Sequence, residues 1–128
     1  MPDFATEISA NAFTQHAYLK EITIGKNVTT IGKYAFSAAK ALTICNMSGS
    51  SVKRIEEDAF SSSGLKSIEF PKTLEWINFY AFAKTPIEEV TIPDNVTFST
   101  SIFSNCTNLK KVTIGKGISL LNGYSFYK

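Results

Sequence analysis

Phenylalanine recurs along this chain at a nearly fixed interval. Phe13, Phe36, Phe60, Phe82, Phe103 and Phe126 are separated by 23, 24, 22, 21 and 23 residues. A period in the low twenties belongs to a solenoid, in which each copy is one supersecondary unit that stacks on the next. The stretch Leu65 to Phe82, L-K-S-I-E-F-P-K-T-L-E-W-I-N-F-Y-A-F, is the unit that the other copies repeat.

A true repeat must reproduce its apolar columns as well as one aromatic residue. Five or six residues after each Phe comes an apolar opener: Leu19, Leu42, Leu65, Ile87 and Leu109. Three residues further on an alternating pair follows: Ile22 and Ile24, Cys45 and Met47, Ile68 and Phe70, Val90 and Ile92, Val112 and Ile114. This period of two is the signature of a strand with one buried face. Gly25, Pro71, Pro93 and Gly115 then break the run, with Ser48-Gly49 in their place in the second copy. Proline cannot donate to a ladder and glycine tolerates unusual torsions, so each break predicts a turn. A second apolar pair closes each copy: Val28 and Ile31, Val52 and Ile55, Leu74 and Ile77, Val96 and Phe98, Ile118 and Leu121. The segment before each Phe is too short for more than one helical turn, which predicts little regular helix. One copy cannot bury enough apolar surface to offset the entropy of ordering its residues, so stability belongs to the array.

These columns resemble the leucine-rich repeats of the BspA-like (Treponema pallidum-type) family, whose unit reads roughly L-x-x-I-x-I-P-x-x-V-x-x-I-G-x-x-A-F-x-x-C-x-x. The most specific stretches are I-T-I-G-K-N-V-T-T-I-G-K-Y-A-F at Ile22 to Phe36 and S-N-C-T-N-L at Ser104 to Leu109, where Cys106 falls on the family's Cys column. Ser101-Ile102 departs from the pattern, and that copy is one residue short between Val96 and Phe103. The resemblance implies a right-handed leucine-rich-repeat solenoid, a β-rich member of the α/β class, with about five repeats of 21–24 residues and parallel strands. It further implies a cell-surface or secreted protein that mediates adhesion to host, matrix or cell-surface proteins. Residues 1–128 read as one array, with 1–18 a partial N-terminal repeat and 115–128 a partial C-terminal one. We expect the array to be a segment of a longer one. Uncapped terminal repeats also predict end-to-end self-association.

Composition excludes several functions. A formal net charge of +2 is too small to argue for nucleic acid or an anionic membrane. No apolar run approaches the roughly 20 residues of a membrane span, and Met1-Pro2-Asp3-Phe4 carries no signal pattern. His16, the one histidine, has no Cys, His or carboxylate constellation near it in sequence and reads as a turn residue. Cys45 and Cys106 lie two to three layers apart, on the order of 10–15 Å at strand spacing and beyond the roughly 7 Å reach of a disulfide, so both read as buried thiols. Glu56-Glu57-Asp58 and Glu88-Glu89 are adjacent in extended chain, where neighbours face opposite ways, and read as solvated surface instead of an acid/base pair. No phosphate loop, nucleophile elbow or metal-ligand spacing occurs. The chain therefore reads as non-catalytic and without a cofactor. Asn27, Asn46, Asn95 and Asn105 begin Asn-x-Ser/Thr triplets, which are glycan acceptors only in a eukaryotic secretory setting.

What remains is surface. Outward positions of the first strand series run Glu21 and Thr23, Ile44 and Asn46, Ser67 and Glu69, Glu89 and Thr91, Lys111 and Thr113. This ladder is polar, Thr-rich and mixed in charge, and suits protein contacts; ordinary solvated strand surface is the competing reading. In the second series, the column before the inward Ile holds Thr30, Arg54, Trp76 and Leu120, with Phe98 at or beside it. Trp76, Phe98 and Leu120 from successive copies predict an exposed apolar strip that a partner covers. The alternative is that Phe98 slips inward in its short copy and leaves the other two isolated. A spacer role within a larger surface protein and a carbohydrate-binding module are the remaining function classes.

Overall fold

The computed structural model describes residues 3–118, 120 and 124–127. It is a parallel-strand β-solenoid of about five coils, and no helix occurs among the described residues. Each coil passes through three runs. The front run carries β2 (Glu21–Thr23), β4 (Ile44–Asn46), β7 (Glu89–Ile92) and β9 (Lys111–Ile114). The second carries β1 (Glu7–Ile8), β3 (Thr30–Ile31), β5 (Arg54–Ile55), β6 (Trp76–Ile77) and β8 (Thr97–Phe98). The third is a run of tight turns around the recurrent Phe.

The interior follows the columns read from the sequence. Successive rings from Phe13 to Phe126 stack at 5.2, 5.0, 5.2, 5.5 and 5.7 Å between centroids, with interplanar angles of 2°, 9°, 6°, 18° and 7°. Leu42, Leu65 and Ile87 are fully buried beside them, as are Ile31, Ile55 and Ile77. Leu121 lies outside the described residues. The second run forms one five-stranded parallel sheet in the order β1-β3-β5-β6-β8. The front run does not: β2 pairs with β4 and β7 with β9. Between them Ser67 to Phe70 joins the second coil only through a bridge between Asn46 and Glu69, and no pairing joins it to β7. Phe70, the one aromatic in a column of Ile24, Met47, Ile92 and Ile114, turns edge-on to the Phe82 ring at 5.5 Å and 72°. The break coincides with that ring and with Pro71, which has no amide to donate.

The turn run satisfies its backbone in two directions. The amides of Tyr34, Phe36 and Ala38 donate to the carbonyls of Glu57, Ala59 and Ser61 in the next coil at 3.0, 2.7 and 2.8 Å. Those of Ala35, Ser37 and Ala39 close turns onto Gly32, Tyr34 and Phe36 within their own coil. Alternate amides thus bond across and along the coil, so the amides from Tyr34 to Ala39 are all paired without strand or helix. This geometry places the residues two before and two after the Phe in left-handed torsions: Tyr34 and Ala38 at φ 57° and 55°, Asp58 and Ser62 at 53° and 59°, Tyr80 and Lys84 at 55° and 58°.

Candidate functional site

On the front face the register fixes the outward column. Glu21 pairs with Ile44 and Thr23 with Asn46, Asn46 bridges Glu69, Glu89 pairs with Lys111 and Thr91 with Thr113. Every one of these side chains is exposed, and Ile44 retains 55% of its surface in water between polar neighbours. Three grooves follow the strip. One of about 360 Å³ lies against Ile44, Asn46 and Glu69; one of about 490 Å³ occupies the break in the sheet, between Glu69 with Phe70 and Glu89 with Thr91; one of about 520 Å³ lies against Thr91 and Thr113. Ile44, Asn46, Glu69, Thr91 and Thr113 are thereby brought together, with Glu21, Thr23 and Lys111 beside them.

The second face corrects the expected apolar strip. Phe98 pairs with Ile77, is 2% exposed and belongs to the core, while Thr97 takes the outward place opposite Trp76. The residue missing from this copy is the one that would stand between inward Val96 and outward Thr97, so an aromatic ring fills the interior at no loss of register. Leu120 is 67% exposed, one coil beyond Thr97, so Trp76 and Leu120 are not contiguous. Trp76 is half-buried, its indole Nε1 is enclosed without a hydrogen-bond partner, and the Arg54 guanidinium lies 6.0 Å from its ring centroid.

Beside Trp76 runs a polar chain that the sequence reading missed. Arg54 Nε donates to Glu56 Oε1 at 2.9 Å, Asn78 Nδ2 donates to Glu56 Oε2 at 2.9 Å, and Ser99 Oγ donates to Asn78 Oδ1 at 3.3 Å. Burial pushes the Glu56 pKa up, but the hydrogen bonds from Asn78 and Arg54 outweigh it and hold the carboxyl below its ordinary range. Glu56 is therefore a structural anchor and not free surface. Its signal was the column four before each Phe, where Glu56, Asn78 and Ser99 stand in successive copies.

Other titratable groups are accounted for locally. His16 is exposed and its Nδ1 accepts from the amide of Leu19 at 3.0 Å, closing a turn. Burial pushes the Cys45 thiol up to about 12. Cys106 is also raised by burial, and its thiol donates to the Phe82 carbonyl at 3.1 Å. Among the described residues no three His, Cys, Asp or Glu side chains converge as a metal site, and no helix is long and apolar enough to cross a membrane.

The turn run carries a further groove, of about 460 Å³, lined by Tyr80, Tyr124 and Tyr127 with Asp58, Lys84 and Asn105. Its signal was Tyr at the position two before Phe in three of six copies, Tyr34, Tyr80 and Tyr124.

The family model described as BspA type Leucine rich repeat region matches residues 6–128 in six copies. Among solved structures the chain is similar to a leucine rich cell surface protein from Faecalibacterium prausnitzii, with 33% identity, a TM-score of 0.83, and coverage of 89% of this chain and 31% of that one. It is also similar to a leucine-rich repeat protein from Eubacterium ventriosum, with 25% identity, a TM-score of 0.79 and coverage of 93% and 32%. The T. pallidum leucine rich repeat protein shares the fold at 20% identity and a TM-score of 0.75, over 100% of this chain and 76% of that one. The chain thus spans about a third of the length of the first two. A search of the curated proteins finds no match to it.

Proposed function

Because the chain belongs to the BspA-type leucine-rich repeat family, we propose that it is a non-catalytic protein-binding scaffold whose contact surface is the front face, acting in adhesion at a cell surface or in secreted form. Repeats of this family generally serve protein interaction. The observation that carries the reading is the exposed outward strip from Glu21 to Thr113, in register from Glu21 to Glu69 and again from Glu89 to Thr113. It offers exposed Ile44 as an apolar contact among Thr, Asn and Glu side chains that adapt to a partner's hydrogen bonds. The described cell-surface relative supports the location. A partner is a protein with an exposed, partly apolar epitope; nucleic acid and membrane insertion find no support in a net charge of +2.

The test is surface plasmon resonance of the chain against a panel of extracellular-matrix and cell-surface proteins. The expected result is binding to at least one of them, reduced ~10-fold or more in the triple variant Ile44→Lys, Glu69→Lys, Thr91→Arg, with circular dichroism unchanged. No binding by the parent chain, or equal binding by the variant, overturns the proposal. The second reading, a spacer within a larger surface protein, draws on the chain's spanning only about a third of its longer relatives, and a uniformly negative panel favours it. We further propose end-to-end association of copies, for which the 37% exposure of Ile114 in β9 is the support. A monomer by light scattering at high concentration refutes that association.

A further inference from the structure

The turn groove differs in chemistry from the front face. Three phenol side chains stand exposed, Tyr80 at 45%, Tyr124 at 71% and Tyr127 at 56%, and Tyr124 meets Tyr127 edge-on at 5.6 Å. Around them stand a carboxyl, an ammonium, a carboxamide and serine hydroxyls, and no aliphatic side chain larger than alanine's lines the groove. Apart from the Ala83 methyl, apolar contact is available only from the phenol rings, and the other lining side chains donate or accept hydrogen bonds.

The backbone gives this composition its weight. Tyr80 and Tyr124 hold left-handed torsions, φ 55° and 63°, where glycine or asparagine fits at lower steric cost. The repeat geometry needs that torsion in every coil, yet it does not need an aromatic ring there. The phenols stand outside the buried core and remain exposed.

We propose that this groove binds a linear, uncharged oligosaccharide lying along the axis of the coil. A pyranose carries C–H groups on its flat faces and hydroxyls around its rim. Its faces pack on aromatic rings, and its rim matches the mixed donors and acceptors of Asp58, Lys84 and Asn105. The groove crosses the coils of Phe60, Phe82, Phe103 and Phe126, whose rings are spaced by 5.2, 5.5 and 5.7 Å. One coil is close to one sugar unit in length, so successive coils address successive units. Asp58 and Lys84 oppose each other in charge, which selects against sulfated or uronic chains. Asp58 is half-buried, and burial first, then the Glu57 charge, raises its carboxyl against the hydrogen bond with Ser61 and the two nearby lysines.

The experiment is isothermal titration of the chain with cellohexaose, chitohexaose, xylohexaose and mannohexaose. At least one is expected to bind, with Tyr80→Ala and Tyr124→Ala each weakening it ~10-fold or more. Tyr80→Phe keeps the ring face and is expected to retain most of the affinity, which separates ring stacking from a structural effect. Asp58→Asn suits the same torsion and is expected to weaken binding while leaving the melting temperature in place. The front-face variant Ile44→Lys is expected to bind the sugar undiminished, so this proposal and the protein-scaffold reading stand or fall separately. Failure of all four sugars to bind at millimolar concentration, or binding that survives Tyr80→Ala with the fold intact, overturns it.

Discussion

Replacing Phe60 by alanine tests the stacked column where it is most demanding. Phe60 is 0% exposed, and its ring lies 5.0 Å from Phe36 and 5.2 Å from Phe82. Truncating a fully buried Phe destabilises by roughly 3–5 kcal/mol, the cost rising when the site cannot collapse. Here the coils on both sides are bound by amides at Phe36 and Phe60 donating to Ala59 and Ala81, so the gap stays open. Two aromatic pairs are also lost, each worth about 0.5–1.5 kcal/mol. The expected loss is therefore near the top of the range, roughly 4–5 kcal/mol. Phe13 is partly buried and stacks on one Phe only, Phe36 at 5.2 Å, so Phe13→Ala is expected to lose roughly 1.5–2 kcal/mol. Urea unfolding followed by far-ultraviolet circular dichroism and by Trp76 fluorescence reads both. With a slope of about 2 kcal/mol per molar urea, the midpoint for Phe60→Ala falls by roughly 2 M and that for Phe13→Ala by less than half as much. Equal shifts for the two variants refute the reasoning, because a central layer has two neighbours to lose and a terminal one has a single neighbour.

The Cys45 thiol, pushed up to about 12 from 9.0 by burial, favours folding in its protonated form. Its contribution is complete below pH 9 and is lost as the pH rises toward about 12; thermal melts of Cys45→Ala are expected to decline less steeply over that window than those of the parent chain. Glu56 works in the opposite sense. Its depressed pKa gives stability present above the ordinary value of 4.5 and lost as pH falls through the folded-state value, so Glu56→Gln is expected to flatten the acid limb of the melting curve. At Gly64 an added Cβ would fall 2.3 Å from the Lys40 carbonyl oxygen, and Gly64→Ala is expected to destabilise by roughly 1–3 kcal/mol in denaturant titrations. Gly49→Ala, where nothing lies within 4 Å, serves as the control and is expected to be neutral or slightly stabilising.

The interior was legible in the sequence because a strand with one buried face writes its register directly. Ile22, Cys45, Ile68, Val90 and Val112 recur three residues after the opener, and Phe after them once per coil. Phe98 was not legible, because a single deletion allows two alignments and only packing chooses between them. With Thr97 opposite Trp76 the Phe98 ring fills the space that Ile77 fills in the coil before. The turn run was hidden for a different reason. Its left-handed positions hold Asn, Asp and Ser in some copies and Gln, Tyr, Ala and Lys in others instead of glycine, so no constant turn residue marks them. The torsions are stabilised by amides donated to the next coil, a relation between copies that no single copy displays. The break in the front sheet was equally invisible, since Phe70 satisfies the apolar pattern while its volume turns it edge-on to Phe82.

A coil whose interior is fixed by stacking leaves its outer faces independent of one another. Ile44 on the front and Tyr80 on the turn run project from different runs of different coils and share no hydrogen bond or ring contact. Substitutions at sites without shared partners add to within about 0.5 kcal/mol. The double variant Ile44→Lys, Tyr80→Ala is therefore expected to show a stability change equal to the sum of the single changes within that margin. In binding assays each substitution is expected to affect only the ligand of its own face. A coupling larger than about 1 kcal/mol in the folding cycle would mean that the core transmits strain from the turn run to the front. The front strip and the tyrosine groove would then have to be treated as one surface, with a partner on either face altering affinity at the other.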